Sequence, residues 1–160
     1  MGFSIAKFIE DLRAFVTNPI ILSSFTSWFL SQLIKGIIVL IKVRKKRDVL
    51  EALLWRTGGM PSSHAAVVVS MTASVAFHEG VGSDLFAVSL LMALVIMRDA
   101  MGVRRAVGLQ ARAINFLGSK TTEKNDIEFS PVKEIKGHAP LEVIAGALLG
   151  LFVSAAFIWL

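Results

Sequence analysis

The chain of 160 residues has no cysteine, which excludes a disulfide framework and any thiolate metal site. No secretory leader is expected, because its first apolar residues are interleaved with Lys7, Glu10, Asp11 and Arg13. Internal repeats, low-complexity segments and compact HExxH-like metal clusters are all missing. What the chain has in excess is apolar surface. Hydrophobic residues make up 54% of it, and the mean hydropathy is +0.67. A soluble domain of this size would struggle to hide that much, so an integral membrane protein is expected, built as one domain over residues 1–160. The net charge of +5 is unevenly placed. It points to anionic lipid head groups as partners and not to nucleic acid.

The hydropathy pattern predicts an all-α, polytopic membrane helical bundle of four transmembrane helices plus an N-terminal amphipathic helix. Residues 1–17 place Phe3, Ile5, Phe8, Ile9, Leu12, Phe15 and Val16 at helical spacing, for a helix lying at the interface or packed on the bundle. Asn18-Pro19 punctuates. Residues 19–42, 61–78, 82–98 and 140–160 are the expected spans, and 99–138 is a cytoplasmic helix and loop, with 118–136 expected as loop. Gln32 and Lys35 lie inside the first span, where an ionisable group is costly and tends to face a functional interior. Gly146 and Gly150 have the small-xxx-small spacing that lets helices approach, and a homodimer is one use of it.

Loop charge sets the orientation. Residues 42–60 carry Lys42, Arg44, Lys45, Lys46, Arg47 and Arg56; residues 98–138 carry Arg98, Arg104, Arg105, Arg112, Lys120, Lys124, Lys133 and Lys136. The short connection near 78–84 carries neither lysine nor arginine. With four spans the two basic loops share a side, and the positive-inside rule makes it cytoplasmic. That side then gathers Lys35, Lys42, Ser62, Ser63, His64, Asp99, Arg104, Arg105, His138 and Glu142.

The segment Gly58-Gly59-Met60-Pro61-Ser62-Ser63-His64 reads as a phosphate cradle. Pro61 at the first helical position would leave the N–H groups of Ser62, Ser63 and His64 free to face an anion, aided by the helix dipole. An ordinary capped helix start explains the same residues. His138 and Glu142, four apart, would share a helix face, and a carboxylate fixes the tautomer of an imidazole and raises its basicity. Arg104 and Arg105 suit bidentate phosphate binding. His78, beside Glu79, reads as an interfacial residue on the opposite side.

These residues resemble a family. PSSH at 61–64 resembles the PSGH motif of the phosphatidic acid phosphatase type 2 superfamily, which includes vanadium haloperoxidases. GHAPLEVIAG at 137–146 resembles the end of that superfamily's third motif. Together with DAMGVRRAVGLQA they look like its divergent branch of small bacterial and plant membrane proteins, from about residue 19 to the C-terminus. The resemblance implies His138 as nucleophile, Glu142 as the acid that orients it and His64 as proton donor. Ser62 and the Ser63 backbone would hold phosphate oxygens. Lys35 and Lys42 match the spacing of the first motif, with lysine replacing its arginine. Val132 stands where the third motif has arginine, so that role moves to Arg104 or Arg105, and Ser63 stands where the second has glycine. Gly59 and Asp99 are supporting residues. The implied function is hydrolysis of a lipid phosphomonoester or pyrophosphate through a phosphohistidine, with no metal and no cofactor. The expected location is a bacterial inner membrane, with the site predicted on its cytoplasmic face. The alternatives are a metal-dependent hydrolase using His64, Asp99, His138 and Glu142, and an inactive lipid- or phosphate-binding membrane protein.

Overall fold

A computed structural model describes residues 4–42, 59–125, 128–134 and 137–158. The basic residues Arg44 to Arg47, Arg56 and Gly58 lie outside the described residues, as does the side chain of Lys42. Six helices occur among the described residues: α1 (Ile5–Thr17), α2 (Pro19–Lys42), α3 (Ser63–Glu79), α4 (Asp84–Met101), α5 (Val103–Asn125) and α6 (Pro140–Ala156). The described chain is all-α.

α1 buries no residue, and Ile5, Ile9, Leu12, Phe15 and Val16 are exposed along it. Asn18 breaks the helix in an extended conformation and then caps the next one: its Oδ1 accepts from the Ile20 N–H at 2.9 Å, with Pro19 in the first helical position.

The core that α2 enters is unlike that of a soluble bundle. The largest fully buried side chains are all serines: Ser23, Ser27, Ser31, Ser62, Ser70, Ser74 and Ser154. Around them sit Ala65, Ala66, Ala73 and Ala93. The large apolar side chains face outward, among them Phe25, Phe29, Leu33, Ile37 and Leu40 of α2 and Leu91, Leu94 and Val95 of α4. Small residues inside let backbones approach closely, the packing used where the surroundings are as apolar as the side chains. By length and composition, two stretches are able to cross a membrane: Pro19–Ile41 in α2 and the run Asp84–Thr122 through α4 into α5.

α3 is the central helix and packs on α2, α4 and α6. Its register on α2 is antiparallel, fixed by Ser23 Oγ to Ser74 Oγ at 2.6 Å near one end and Lys35 Nζ to Ser63 Oγ at 3.2 Å near the other. Its register on α6 is parallel. A side chain at Gly146 would collide with the Ser62 carbonyl, and one at Gly150 with the Ala66 carbonyl. The small-residue spacing that suggested a homodimer is thus taken up inside the chain, where both glycines are buried. The Thr72 hydroxyl reaches the Ser89 carbonyl at 3.1 Å and ties α3 to α4. Gly80, with φ of +85°, turns the chain between them, and Ser83 caps α4 by accepting from Phe86 N–H at 3.1 Å.

Two boundaries differ from expectation. Pro61 does not open α3; Ser62 is the N-cap and the helix begins at Ser63, because the Ser62 N–H is bonded to the Glu142 carbonyl at 2.8 Å. The stretch 118–125, expected as loop, is the last part of α5. Hydroxyls of Ser119, Thr121 and Thr122 bond back to carbonyls three or four residues earlier, so these polar residues satisfy themselves on the helix.

Residues 128–134 lie along α5 as a strap without regular secondary structure. The Asn115 amide brackets Val132, donating to its carbonyl at 2.8 Å and accepting from its N–H at 2.7 Å. Arg112 pairs with Glu134 at 3.4 Å, and Phe129 lies over Gly118. Gly137 then passes against the Arg105 backbone so closely that a side chain there would strike it.

Candidate active site

Antiparallel α2 and α3, with parallel α3 and α6, bring the end of α2, the start of α3 and the start of α6 together. The end of α4 joins them, since the His138 N–H donates to the Ala100 carbonyl at 3.0 Å. Into this corner come Lys35, Ser62, Ser63, His64 and His138.

His138 is 3% exposed, and its Nδ1 lies 2.9 Å from Glu142 Oε2. The same oxygen accepts from the Ala139 N–H at 3.2 Å. The pair does not form on a helix face as expected: His138 precedes α6, and Glu142 reaches back from its first turn. With Nδ1–H donating to the carboxylate, Nε2 of a neutral imidazole keeps its lone pair free. Burial lowers the pKa of His138 from its ordinary 6.5, and the nearby charges of Lys35 and Arg104 act the same way. The Glu142 contact opposes this without reversing it.

The His64 ring stands edge-on to His138, with centroids 6.0 Å apart and planes at 68°. Its Nδ1 is buried without a hydrogen-bond partner, as is Gln32 Oε1. Orphaned polar atoms in a buried corner are open to a ligand or water that would satisfy them. Lys35 is 5% exposed and its ammonium donates to Ser63 Oγ. Ser62 is fully buried; its hydroxyl accepts from the Ala65 N–H at 3.4 Å, so it acts as the cap and its N–H is engaged by Glu142.

The arginines divide. Arg104 Nε pairs with Asp99 Oδ2 at 2.7 Å across the Gly102 break, with both side chains about 40% exposed. Arg105 lines a cavity of about 250 Å³ with Arg112, Gly137, Ala139 and Glu142. Arg112 was not among the expected residues. Its signal was its place seven residues after Arg105, two helical turns on the same face. Gly59 has φ of +92° with nothing near its Cα hydrogens, so it serves the backbone turn. Among the described residues, no three His, Asp or Glu side chains converge as metal ligands.

Residues 16–153 match the family described as "Divergent PAP2 family". The chain belongs to that family. It is also 40% identical over 152 residues to the "Uncharacterized membrane protein YuiD" of Bacillus subtilis (strain 168), covering 87% of this chain and 93% of that protein. No solved structure matches the chain.

Proposed function

We propose that this protein is an integral membrane phosphatase that hydrolyses a phosphomonoester or pyrophosphate on a lipid, through a phosphohistidine. The observation that carries the reading is the pair of adjacent histidines at one end of an inside-out bundle: His138 is buried and held by a carboxylate, and half-buried His64 has a buried ring nitrogen without a partner. Family membership supports phosphatase-like chemistry, and the name of the Bacillus relative supports the membrane.

In this mechanism His138 Nε2 attacks phosphorus, a P–N bond forms and the P–O bond to the leaving group breaks. His64 gives that oxygen its proton. Glu142 keeps His138 oriented and offsets the charge that develops on it. Water then attacks the phosphohistidine, giving its proton to His64 and freeing phosphate and His138. Lys35, Ser62, Ser63, Arg104 and Arg105 supply the positive charge and donors that phosphoryl transfer requires. α2, α3, α4 and α6 are the four spans, with the site facing the cytoplasm of a bacterial inner membrane.

One observation favours a second reading, binding without turnover. Ser63 stands where the resemblance expects glycine, and its hydroxyl occupies the Lys35 ammonium that a phosphate would use. The test supplies the purified protein with phosphatidate, phosphatidylglycerophosphate and prenyl diphosphates, with a chelator present. Phosphate release is expected, together with an acid-labile phosphoenzyme, and His138→Ala should abolish both. Release that survives this substitution sinks the assigned nucleophile; binding with no release supports the second reading.

A further inference from the structure

Outside this corner, α2 and α3 enclose an apolar groove of about 390 Å³ lined by Ile21, Ser24, Phe25 and Trp28 of α2 and Val67 and Met71 of α3. Its size falls within the ~300–1,000 Å³ typical of small-ligand pockets. Its position gives it meaning. Along α2, Ile21, Ser24 and Trp28 recur at helical spacing, and the same face continues to Gln32 and Lys35. Along α3, Met71 and Val67 lead by the same spacing to His64 and Ser63. One seam between two helices therefore runs from the groove to the Lys35–Ser63 contact.

The chemistry changes in order along that seam. Its far part is apolar. Next come Gln32 Oε1 and His64 Nδ1, both buried and without partners. It ends at a buried ammonium and the paired histidines. Trp28 lies seven residues from Lys35 and Ser24 eleven, so the groove begins roughly 10 Å from the charged end and is centred roughly 16 Å away, at ~1.5 Å per residue. Phe25 is 64% exposed and Trp28 41%, which leaves the groove open to the outer surface of the bundle.

We propose that this seam binds a single amphiphilic molecule, with its phosphate head at Lys35, His64 and His138 and a long alkyl chain lying between α2 and α3 in the groove. The inference rests on the phosphatase reading for the head group only. The order of chemistry decides for one molecule over unrelated bilayer lipid: an apolar trough that merely faced hydrocarbon has no need to share its helix faces with two orphaned polar atoms and an ammonium.

The experiment uses the full chain in phosphatidylcholine nanodiscs and hexadecyl phosphate carrying a diazirine near the end of its chain. Cross-links are expected at Phe25, Trp28, Val67 and Met71. Excess hexadecyl phosphate should displace them, whereas butyl phosphate and hexadecanol, each lacking half of the molecule, should not. Ser24→Trp and Val67→Phe should each weaken this labelling about tenfold, the effect of ~1.4 kcal/mol. Ser24→Ala, which opens the groove, should retain it and controls for folding. Labelling spread over Leu91 and Val95 of α4, unmoved by competitor, means annular lipid only and overturns the proposal. Groove labelling displaced equally by hexadecanol also overturns it, because the head then plays no part. Saturable groove labelling without phosphate release leaves the groove standing and removes the catalytic reading. Release from alkyl phosphates of every chain length, with diffuse labelling, does the reverse.

Discussion

Glu142 and His64 make the two histidines unequal, and the inequality can be measured. Buried His138 has its pKa lowered from 6.5, so neutral His138 is favoured in the folded protein. In the unfolded chain the group binds its proton first as pH falls. Its contribution to stability is therefore complete above 6.5 and is lost as pH falls through the lowered folded value. Activity that needs a neutral nucleophile should follow the same direction, with an acid limb below 6.5 in a pH–rate profile. Glu142→Gln keeps an acceptor for the Ala139 N–H but removes the charge that raises the His138 pKa. Its acid limb should move to still lower pH while the plateau falls; a limb that stays in place removes Glu142 from the role of partner. His64 is tested by the leaving group. His64→Ala should slow hydrolysis of an alkyl phosphate by about 10²–10⁴-fold. It should slow p-nitrophenyl phosphate much less, since that leaving group departs without a proton, and equal losses on both would show that His64 is not the acid. These chemical residue types were legible in the sequence because short motifs carry them. Their pairing geometry was not. The Glu142 carbonyl on the Ser62 N–H joins residues 80 positions apart, and this contact makes Ser62 a cap where Pro61 was expected to open the helix.

At the scale of elements, the strap of residues 128–134 lies along α5 ahead of His138. Its anchor is Asn115, whose amide makes both backbone hydrogen bonds that a neighbouring strand would make to Val132. Asn115→Ala removes three exposed bonds, two to Val132 and one to Glu134, and should cost about 1–2 kcal/mol. The local effect should exceed the global one: hydrogen exchange at the Val132 amide should accelerate, and kcat/KM should fall without any change in the acid limb. Unchanged exchange at Val132 would mean that the strap is held elsewhere. The apolar runs of α2, α4 and α6 were legible because each is contiguous, although only the first is long enough by its own length to cross a membrane. The strap and the end of α5 were not, for a physical reason. Gly118, a poor helix former, followed by serine and threonines, resembles loop until back-bonded hydroxyls and the Phe129 ring over Gly118 are present. Those contacts are made by a segment that local pattern cannot connect to α5.

For the whole molecule the governing fact is its inverted polarity, serine within and phenylalanine and leucine without. In water such a surface would aggregate; in hydrocarbon it is the low-energy choice, and inside it the hydroxyls of Ser23 and Ser74 bond across helices and that of Ser154 bonds back onto its own. Composition announced the membrane, whereas the direction in which each face points depends on the bundle and had to be seen. The orientation proposed from loop charge is open to a direct test that the missing cysteine makes clean. Gly82 is exposed in the turn between α3 and α4, and Ser130 is exposed in the strap. Single substitutions Gly82→Cys and Ser130→Cys place one thiol at each end of the bundle with no background. A membrane-impermeant maleimide applied to spheroplasts should label Gly82→Cys at once and Ser130→Cys only after the membrane is opened. Labelling of both from outside contradicts four spans with a cytoplasmic site. Labelling of Ser130→Cys alone keeps the bundle but turns it over, placing the histidines on the outer face and changing the pool of lipid phosphates they meet.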